Sequence, residues 1–591
     1  MTRLTYINTD KYRRTYSGNW RRTVDARLRA SAPWMIAFAA LWRFPGLALG
    51  EMQQWDEAIY ALRVQVILRF GEVWDQSVNM LAGSYYSAHP PLYVWFSTFW
   101  SLLLGEAVWT HRLTSALAGA GLVLLTYRIG RRMVPRTLAT LAALFVGFAP
   151  LLVRYSRLGQ LDALLALLML AALWAGIVYV REERKRHLLA GALFLGAALM
   201  TKMLFALSVP AGIFCAGLLL NGAERRRALT FAITATALSL PLWLPWLLSF
   251  SLRHGDGNLL YIFSSAVPLG ATLGGQEGTM KETGLLYYFN QLSVHVSAIL
   301  PFALFAMYRT LRSRRSVGFL VLVVWFVLQF TALLATGSSF EVYLLPMFAP
   351  LALFAMRGVQ LARRTALPVR KFLLTTSALC FVWSLSLDWR IAVKSVIGIA
   401  SSAGVTGDTL LIALIFTVVT LCAVILALIC AANIPAASLF SSSSLWALVV
   451  VIFAVSAYRY YHAEPKNMLD GADAVSGFIR ESQPTALALI GNGENPQLTW
   501  YLDGADIGWH TDAPRTERLE PRHRGIEAVQ SRLHALAERY SLLAVVELDD
   551  GVHDAHREPG DVLPRDFRIV LRTQGYLVAR STGASPAKEA R

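Results

Sequence analysis

A series of apolar segments, each about as long as a bilayer is thick, most constrains the fold of this chain. Several reach roughly 18 residues or more, which is enough to cross the hydrocarbon core as a helix. Only 16% of the residues are charged and 55% are hydrophobic, whereas a soluble protein carries about a quarter charged residues. Because the backbone must satisfy its own hydrogen bonds inside lipid, such segments predict helices rather than a barrel. The sequence therefore predicts a polytopic α-helical membrane protein.

About 13 membrane-spanning helices are predicted, with edges defined to within a few residues. The boundary between the fifth and the sixth is the least distinct, because only Thr201, Lys202 and Met203 interrupt the apolar run. The predicted spans are 32–49, 112–130, 137–153, 160–180, 188–202, 203–220, 229–250, 285–307, 317–336, 342–356, 370–388, 406–431 and 444–460.

Composition divides the chain into three parts. Residues 1–31 form a polar, basic N-terminus, residues 32–462 hold the predicted spans, and residues 463–591 are polar with short β-like runs. The last part predicts a small soluble α/β domain. Within the second part, the first outer loop at 50–111 is rich in Trp and Tyr but has no membrane-length apolar run. This pattern predicts short helices at the membrane interface, where indole and phenol rings prefer to lie.

The formal net charge is +17, which in a soluble protein would suggest nucleic acid as a partner. Here Arg is concentrated in alternate short connections, around 131–136, 181–186, 225–227, 309–315 and 357–371. That is the distribution of cytoplasmic loops in membrane proteins. The pattern predicts no nucleic-acid partner, a cytoplasmic N-terminus, and a C-terminal domain outside the cytoplasm. It indicates a multi-pass protein of the inner or plasma membrane.

Two adjacent carboxylates, Asp56 and Glu57, directly follow the first predicted span in the segment Gln54 to Ala61. Charged groups close to hydrocarbon are costly unless they are paired, hydrated or used, so they are candidates for function. The alternative is an Asp-Glu pair that begins a helix, where negative charge suits the helix dipole.

Other ionisable groups are predicted on the same outer face, at the ends of different helices. Each has a structural alternative: the cations can extend to lipid headgroups, Asp162 can pair with Arg157, His89 can cap a turn, and Tyr343 can anchor the interface. Their convergence favours a shared site. The set is His89, Arg154, Arg157, Asp162, Lys202, Glu341 and Tyr343.

Such a set suits sugar transfer from a phosphorylated lipid. Lys and Arg at the interface can hold a phosphate by charge and hydrogen bonds. A carboxylate can take a proton from an acceptor hydroxyl, and aromatic rings can stack on a sugar or guide an isoprenoid chain.

Several segments, in the same order, resemble the GT-C glycosyltransferases, in particular the bacterial branch that uses lipid-phosphate sugars and includes the aminoarabinose transferase acting on lipid A and relatives of protein O-mannosyltransferases. Asp56-Glu57-Ala58-Ile59-Tyr60-Ala61 looks like the family's Asp-Glu-x-x-Tyr-Ala, and His89-Pro90-Pro91-Leu92 looks like its Lys/His-Pro-Pro-Leu. The remaining matches are Arg157 to Asp162, Thr201-Lys202, Tyr343 to Pro346 with Pro350, and Tyr501-Leu502-Asp503.

The resemblance implies a GT-C fold and specific roles. Asp56 would be the main catalytic carboxylate, supported by Asp162, while Lys202 and Arg157, with His89, would hold the donor phosphate. Glu57, Tyr60, Glu341 and Tyr343 would line the substrate cavity. His89 stands where the lipid A enzymes usually have Lys, and Met203-Leu204 replaces their Gly-Pro, so the subgroup is less well supported than the superfamily.

The implied reaction is an inverting transfer from a polyprenyl monophosphate sugar to an extracytoplasmic lipid, glycan or protein. No cofactor is required by this reading, although a divalent metal on Glu57 or His89 is left open. The alternative is a lipid-linked sugar flippase or transporter, but such proteins usually show repeated halves and charges near the membrane midplane. A third alternative makes the C-terminal domain a scaffold over an inactive bundle.

Overall fold

The computed structural model describes most of the N-terminal two thirds of the chain and the core of the C-terminal domain. The predicted spans 406–431 and 444–460, much of 370–388 and most of the connection at 251–284 lie outside the described residues. Those described are 30–53, 56–76, 89–254, 285–296, 299–314, 316–335, 340–366, 368–377, 379–380, 471–490, 496–502, 515–519, 526–548, 562–573 and 576–581.

The first half of the described bundle consists of ten helices. In chain order they are α1 (Ala30–Leu41), α2 (Asp56–Phe70), α3 (Leu92–Leu104), α4 (Val108–Met133), α5 (Arg136–Phe148), α6 (Pro150–Tyr155), α7 (Asp162–Glu182), α8 (Lys185–Leu199), α9 (Met203–Leu219) and α10 (Gly222–His254).

Further along the bundle, α11 (Leu285–Val296), α12 (Leu300–Ser313) and α13 (Val317–Ala335) precede a 3₁₀ turn at Glu341–Met347, which continues directly into α14 (Phe348–Ala362). Within the described residues, five helical segments are long and apolar enough to cross a membrane. They are α4, α7, α10, α13 and the 3₁₀ turn together with α14. Two helices, α2 and α3, lie within residues 50–111, where the sequence predicts short helices.

Three predicted boundaries can be compared with the helices. The weak boundary at 201–203 coincides with a real break, since α8 ends at Leu199 and Lys202 has an extended backbone (φ −153°, ψ 94°). The predicted span 137–153 is instead two helices, because α5 ends at Phe148 and Pro150 begins α6. Proline suits the first turn of a helix but cannot continue one. The predicted span 285–307 is likewise divided between α11 and α12.

One continuous apolar core joins the helices of the bundle, from Ile36 in α1 to Leu373 beyond α14. Helices approach closely where glycine faces a neighbour. A Cβ at Gly358 of α14 would lie 2.0 Å from the carbonyl oxygen of Phe302 in α12. Backbone-to-backbone packing of this kind is typical of helix contacts in membranes.

The C-terminal part contains a five-stranded mixed sheet in the order β2-β1-β3-β5-β4. The interior strand β1 is parallel to β2 and β3, whereas β5 is antiparallel to β3 and β4. Every residue of β1 is buried, as expected for a strand covered on both faces. The elements are α15 (Ala472–Ser482), β1 (Ala486–Ile490), α16 (Pro496–Tyr501), β2 (Arg515–Leu519), α17 (Ile526–Ala537), β3 (Leu542–Glu547), β4 (Phe567–Arg572) and β5 (Tyr576–Ser581).

Candidate active site

The break between α8 and α9 places Lys202 against the start of α7. Lys202 Nζ lies 3.2 Å from Asp162 Oδ1, and both side chains are largely buried, with 14% and 8% of their surface exposed. Asp162 is the first residue of α7, where a negative charge also suits the helix dipole. Two groups that are 40 residues apart in the chain therefore form one ion pair.

Aromatic rings cover the lysine of this pair. Lys202 Nζ lies 4.6 Å from the centroid of the Tyr343 ring and 5.2 Å from that of Phe205, and the two rings are 4.8 Å apart. An ammonium has three donor hydrogens, and in the described part of the chain Lys202 uses one hydrogen bond, to Asp162. The remaining donors are available to an anionic ligand.

Asp56 belongs to the same electrostatic site. Asp56 is exposed, yet the surrounding protein desolvates its carboxyl, and this desolvation raises the pKa of the carboxyl above its ordinary value. The charge of Asp162 adds to the rise and that of Lys202 opposes it. No hydrogen bond engages the Asp56 carboxylate within the described residues, so it is open to a substrate. Asp56, Asp162, Lys202 and Tyr343 are called the Lys202 cluster below.

Tyr60 lies one turn along α2 from Asp56 and is buried. Its ring makes an edge contact with Tyr93 of α3, with 5.4 Å between centroids. Burial, with the nearby charges of Asp56 and Asp162, raises the pKa of the Tyr60 phenol well above its usual range. Tyr60 therefore remains a neutral phenol at any physiological pH.

His89 lies within the electrostatic influence of two cations, Lys202 and Arg63. Burial, reinforced by these two cations, lowers the pKa of His89 to about 3. Its imidazole is therefore neutral and can only take part in phosphate binding through a hydrogen bond. Arg63 of α2 fixes the local backbone, since its Nη2 donates to the His89 carbonyl oxygen at 2.9 Å and to Gln76 Oε1 at 2.8 Å.

Glu57 is fully buried, and protein donors engage both of its oxygens. Arg112 Nε and Nη2 donate at 2.7 and 3.1 Å, the Gly159 amide at 2.7 Å and the Gln53 amide at 2.8 Å. Arg112 also donates to the carbonyl oxygens of residues 47, 49 and 51. This arrangement, called the Glu57 clamp below, joins α2, α4 and the turn before α7. It gives Glu57 a structural partner; its predicted substrate or metal contact stays a prediction.

Arg157 is engaged with the turn that follows α1. Its Nη1 donates to the carbonyl oxygens of Arg43 and Pro45, and its Nη2 to that of Gly46 at 3.1 Å. These contacts fix the turn against the segment between α6 and α7. The role of Arg157 in phosphate binding stays a prediction.

Glu341 organises a second polar group beside the cluster. Arg154 Nη1 donates to it at 2.8 Å and the Tyr155 hydroxyl at 3.2 Å, while His295 Nε2 lies 3.7 Å away. Glu341 precedes Tyr343 in the same 3₁₀ turn. The predicted lining residue Glu341 therefore positions the turn that carries Tyr343. Within the described residues, no group of three or more His, Cys, Asp or Glu side chains is arranged to hold a metal, and a metal site on Glu57 or His89 stays a prediction.

Sequence reasoning missed Arg112, Arg63 and Phe205. Arg112 stands at the first residue of a predicted span, which is itself a signal, because a cation that enters a bundle needs a buried partner. Arg63 lies seven residues after Asp56, and Phe205 three after Lys202. Helical spacing places such residues near the same face.

Comparisons with known proteins support the class that this fold and site define. Residues 88–248 match the family described as dolichyl-phosphate-mannose-protein mannosyltransferase. Bacillus subtilis YkcB, named a mannosyltransferase by inference, is 29% identical over 157 residues, which are 27% of this chain and 22% of YkcB. The undecaprenyl phosphate-α-4-amino-4-deoxy-L-arabinose arabinosyl transferase 1 of Pseudomonas fluorescens is 24% identical over 336 residues, 53% of this chain and 57% of that protein. The chain thus matches less than two thirds of the length of either relative.

Solved structures support the fold. ArnT from Cupriavidus metallidurans bound to undecaprenyl phosphate superposes with a TM-score of 0.61 at 17% identity, covering 93% of this chain and 97% of that one. The Archaeoglobus fulgidus oligosaccharyltransferase superposes with a TM-score of 0.52 at 13% identity, covering 88% and 69%. The chain is a multi-pass membrane protein with the GT-C fold, and its resemblance to the GT-C glycosyltransferases is confirmed.

Proposed function

We propose that the protein is an inverting glycosyltransferase that moves a sugar from a polyprenyl monophosphate to an acceptor outside the cytoplasm. The observation that carries the proposal is the Lys202 cluster, in which an open carboxylate, Asp56, shares one electrostatic site with the Asp162–Lys202 pair. The names of the relatives support the donor class. The acceptor is a lipid, a glycan or a protein.

Lys202 holds the phosphate of the donor in this mechanism. As the bond between C1 of the sugar and the phosphate oxygen breaks, the electron pair and the negative charge go to the lipid phosphate. A fixed cation stabilises that charge, and one such donor is often worth about 2–4 kcal/mol of the barrier. Asp162 keeps Lys202 in place, and the ammonium lies over the Tyr343 ring.

Asp56 serves the acceptor. If the acceptor is a hydroxyl, the carboxylate takes its proton as the oxygen attacks C1 from the face opposite the phosphate, so the anomeric configuration inverts. If the acceptor is an ionised phosphate, Asp56 orients it instead. A raised pKa suits a general base, because it brings the group closer to the operating pH.

The distribution of Arg supports an outward-facing site. The basic connections lie at alternate ends of the helices, which assigns them to the cytoplasm by the positive-inside rule. The Lys202 cluster and the C-terminal domain then lie on the outer side of the inner or plasma membrane. A reporter fused after residue 591 that is active only in the cytoplasm would contradict this orientation.

The central test is Asp56→Asn in the full-length protein, purified into nanodiscs. Donors are undecaprenyl phosphate mannose and undecaprenyl phosphate aminoarabinose, and the products are identified by mass spectrometry with cell-envelope extract as the acceptor source. We expect transfer to fall by about 10²–10⁴-fold, the usual contribution of a general base.

Glu72→Gln is the matched control, since it removes a carboxylate from the same outer segment and is expected to leave transfer unchanged. Normal transfer by folded Asp56→Asn would overturn the central assignment. Vesicle assays add a second distinction, because a flippase would move the lipid between leaflets without forming a glycosylated product.

A further inference from the structure

The C-terminal domain contacts α2, the helix that begins with the proposed catalytic residue Asp56. The Trp500 and Tyr501 side chains of α16 pack against an apolar patch formed by Met52 and by residues of α2. The α2 residues in this patch are Ala58, Ile59, Ala61, Leu62 and Val66. Trp500 also makes an edge contact with His111 of α4, with 5.6 Å between the ring centroids.

Polar contacts fix the same interface. The Met52 amide donates to the Tyr501 hydroxyl oxygen at 3.1 Å, and Gln65 Nε2 donates to the Trp500 carbonyl oxygen at 3.4 Å. These bonds hold α16 at both ends of the patch, before α2 begins and two turns into it.

Glu51 joins the domain to the Glu57 clamp. Its carboxylate accepts the Gly471 amide at 3.1 Å and the Ala472 amide at 3.1 Å, at the N-terminus of α15, and Gln497 Nε2 at 3.3 Å. Its own carbonyl oxygen accepts Arg112 Nη2 at 2.8 Å. A carboxylate at a helix N-terminus benefits from both the free amides and the dipole. One residue therefore connects the outer domain to the arginine that binds Glu57.

We propose that the C-terminal domain positions Asp56, and that Glu51, Trp500 and Tyr501 are positioning residues of the transfer site. The inference rests on the proposed function. It follows from the place of Asp56 at the first residue of α2, directly before the clamp residue Glu57 and between Met52 and Ala58 of the apolar patch. Removing the contacts between the C-terminal domain and this segment loosens the first turn of α2, so the Asp56 carboxylate can move relative to the Asp162–Lys202 pair.

The test compares two loss-of-contact variants, Glu51→Ala and Trp500→Ala, with two controls. Leu533→Ala opens a cavity in the apolar cluster on the other face of the sheet, to which Trp500 does not belong. It weakens the domain without touching α2. Glu51→Gln keeps an oxygen acceptor for the α15 amides and is the conservative rescue.

Hydrogen exchange on the full-length protein in nanodiscs is the first readout and needs no donor. Losing the charge-assisted hydrogen bonds of Glu51, or the apolar contacts of the Trp500 ring, is expected to make the first turn of α2 exchange about tenfold faster or more. This is expected in Glu51→Ala and Trp500→Ala, with α7 unchanged and Glu51→Gln closer to the wild type. Leu533→Ala is expected to speed exchange in α17 and β3 only.

Transfer kinetics are the second readout. A displaced carboxylate lowers kcat by about 10- to 100-fold with little change in the donor KM, the pattern of an interaction made only in the transition state. Unchanged α2 exchange in both loss-of-contact variants overturns the inference, and so does an equal change in Leu533→Ala. If the wild-type protein transfers no sugar, the proposed function is wrong, and the exchange pattern alone decides whether the domain holds α2.

Discussion

The two neighbouring carboxylates at the start of α2 belong to two charge clusters that differ in how fully protein partners satisfy them. Glu57 is fully buried and accepts four hydrogen bonds from protein donors, including two from one guanidinium. Asp56, one residue earlier, is open and is electrostatically coupled to an ion pair whose lysine has unused hydrogen-bond donors. The Glu57 clamp leaves little capacity for a ligand, whereas the Lys202 cluster is incomplete without one.

The difference shows how a site can be kept open inside an apolar bundle. A buried ion pair contributes little net stability against apolar residues of the same shape, but losing one partner is costly. Because separating Arg112 from Glu57 is costly, the Glu57 clamp fixes the backbone around Asp56. In the Lys202 cluster, by contrast, the described residues offer the Asp56 carboxylate no hydrogen bond and the Lys202 side chain only one, to Asp162, so both groups keep capacity for a ligand.

The largest expected effect comes from breaking the clamp. Arg112→Met leaves Glu57 buried without its cation, so we expect the free energy of unfolding to fall by about 3–5 kcal/mol. Thermal unfolding in detergent, followed by circular dichroism, measures the loss.

The double variant Glu57→Gln/Arg112→Met completes the test. It removes the stranded charge, and we expect it to recover part of the stability lost in Arg112→Met, as a coupled pair requires. Equal stability of Arg112→Met and the wild type would mean that the clamp does not hold the fold.

Lys202→Met should lower both transfer and stability. We expect the barrier to transfer to rise by about 2–4 kcal/mol, the range for one donor to a developing charge. Because the variant also leaves the largely buried Asp162 without its cation, we expect the unfolding temperature to fall as well. Binding of undecaprenyl phosphate and of undecaprenol, measured on the same nanodiscs, isolates the phosphate contribution. The wild-type protein should prefer the phosphate, and Lys202→Met should lose most of that preference.

Arg154→Met provides a matched cation control, because Arg154 is paired with Glu341 rather than with Asp162. If both variants lost the preference equally, phosphate recognition would be spread over several cations of the bundle rather than placed on Lys202.

The sequence predicted the open cluster better than the clamp. Asp56, Asp162 and Lys202 stand out as charges at the ends of apolar runs, and the break at Lys202 is visible as an interruption of hydrophobicity. The partner of Glu57 cannot be found that way, since pairing Arg112 with it requires the packing of α4 against α2. Likewise, nothing local shows that Arg157 bonds the turn after α1, or that Trp500, 444 residues after Asp56 in the numbering, rests on α2. Long-range contacts decide which charges are structural.

A smaller expected effect, on the pH dependence of transfer, tests the electrostatic coupling of Asp56 to the Asp162–Lys202 pair. The base form of Asp56 is needed, so transfer declines as pH falls through its raised pKa. Because Asp162 raises that pKa and Lys202 lowers it, Asp162→Asn should move the acid limb of kcat/KM to lower pH. Lys202→Met should move it to higher pH. The residual kcat/KM of each variant, measured over a pH series, gives the position of this acid limb. A limb that stays in place in both variants would separate Asp56 from the pair.

The smallest expected effect is that of His89→Asn. The pKa of His89 is lowered to about 3, so the imidazole is neutral throughout the physiological range and its removal takes away one neutral hydrogen bond. Such a bond is worth about 0.5–1.5 kcal/mol, so transfer should fall by no more than about tenfold, with an unchanged pH profile. The same pH series on His89→Asn is the measurement. If the wild-type profile had a limb near neutral pH that this variant abolished, His89 would carry charge in the working enzyme, and the cation set of the Lys202 cluster would have to include it.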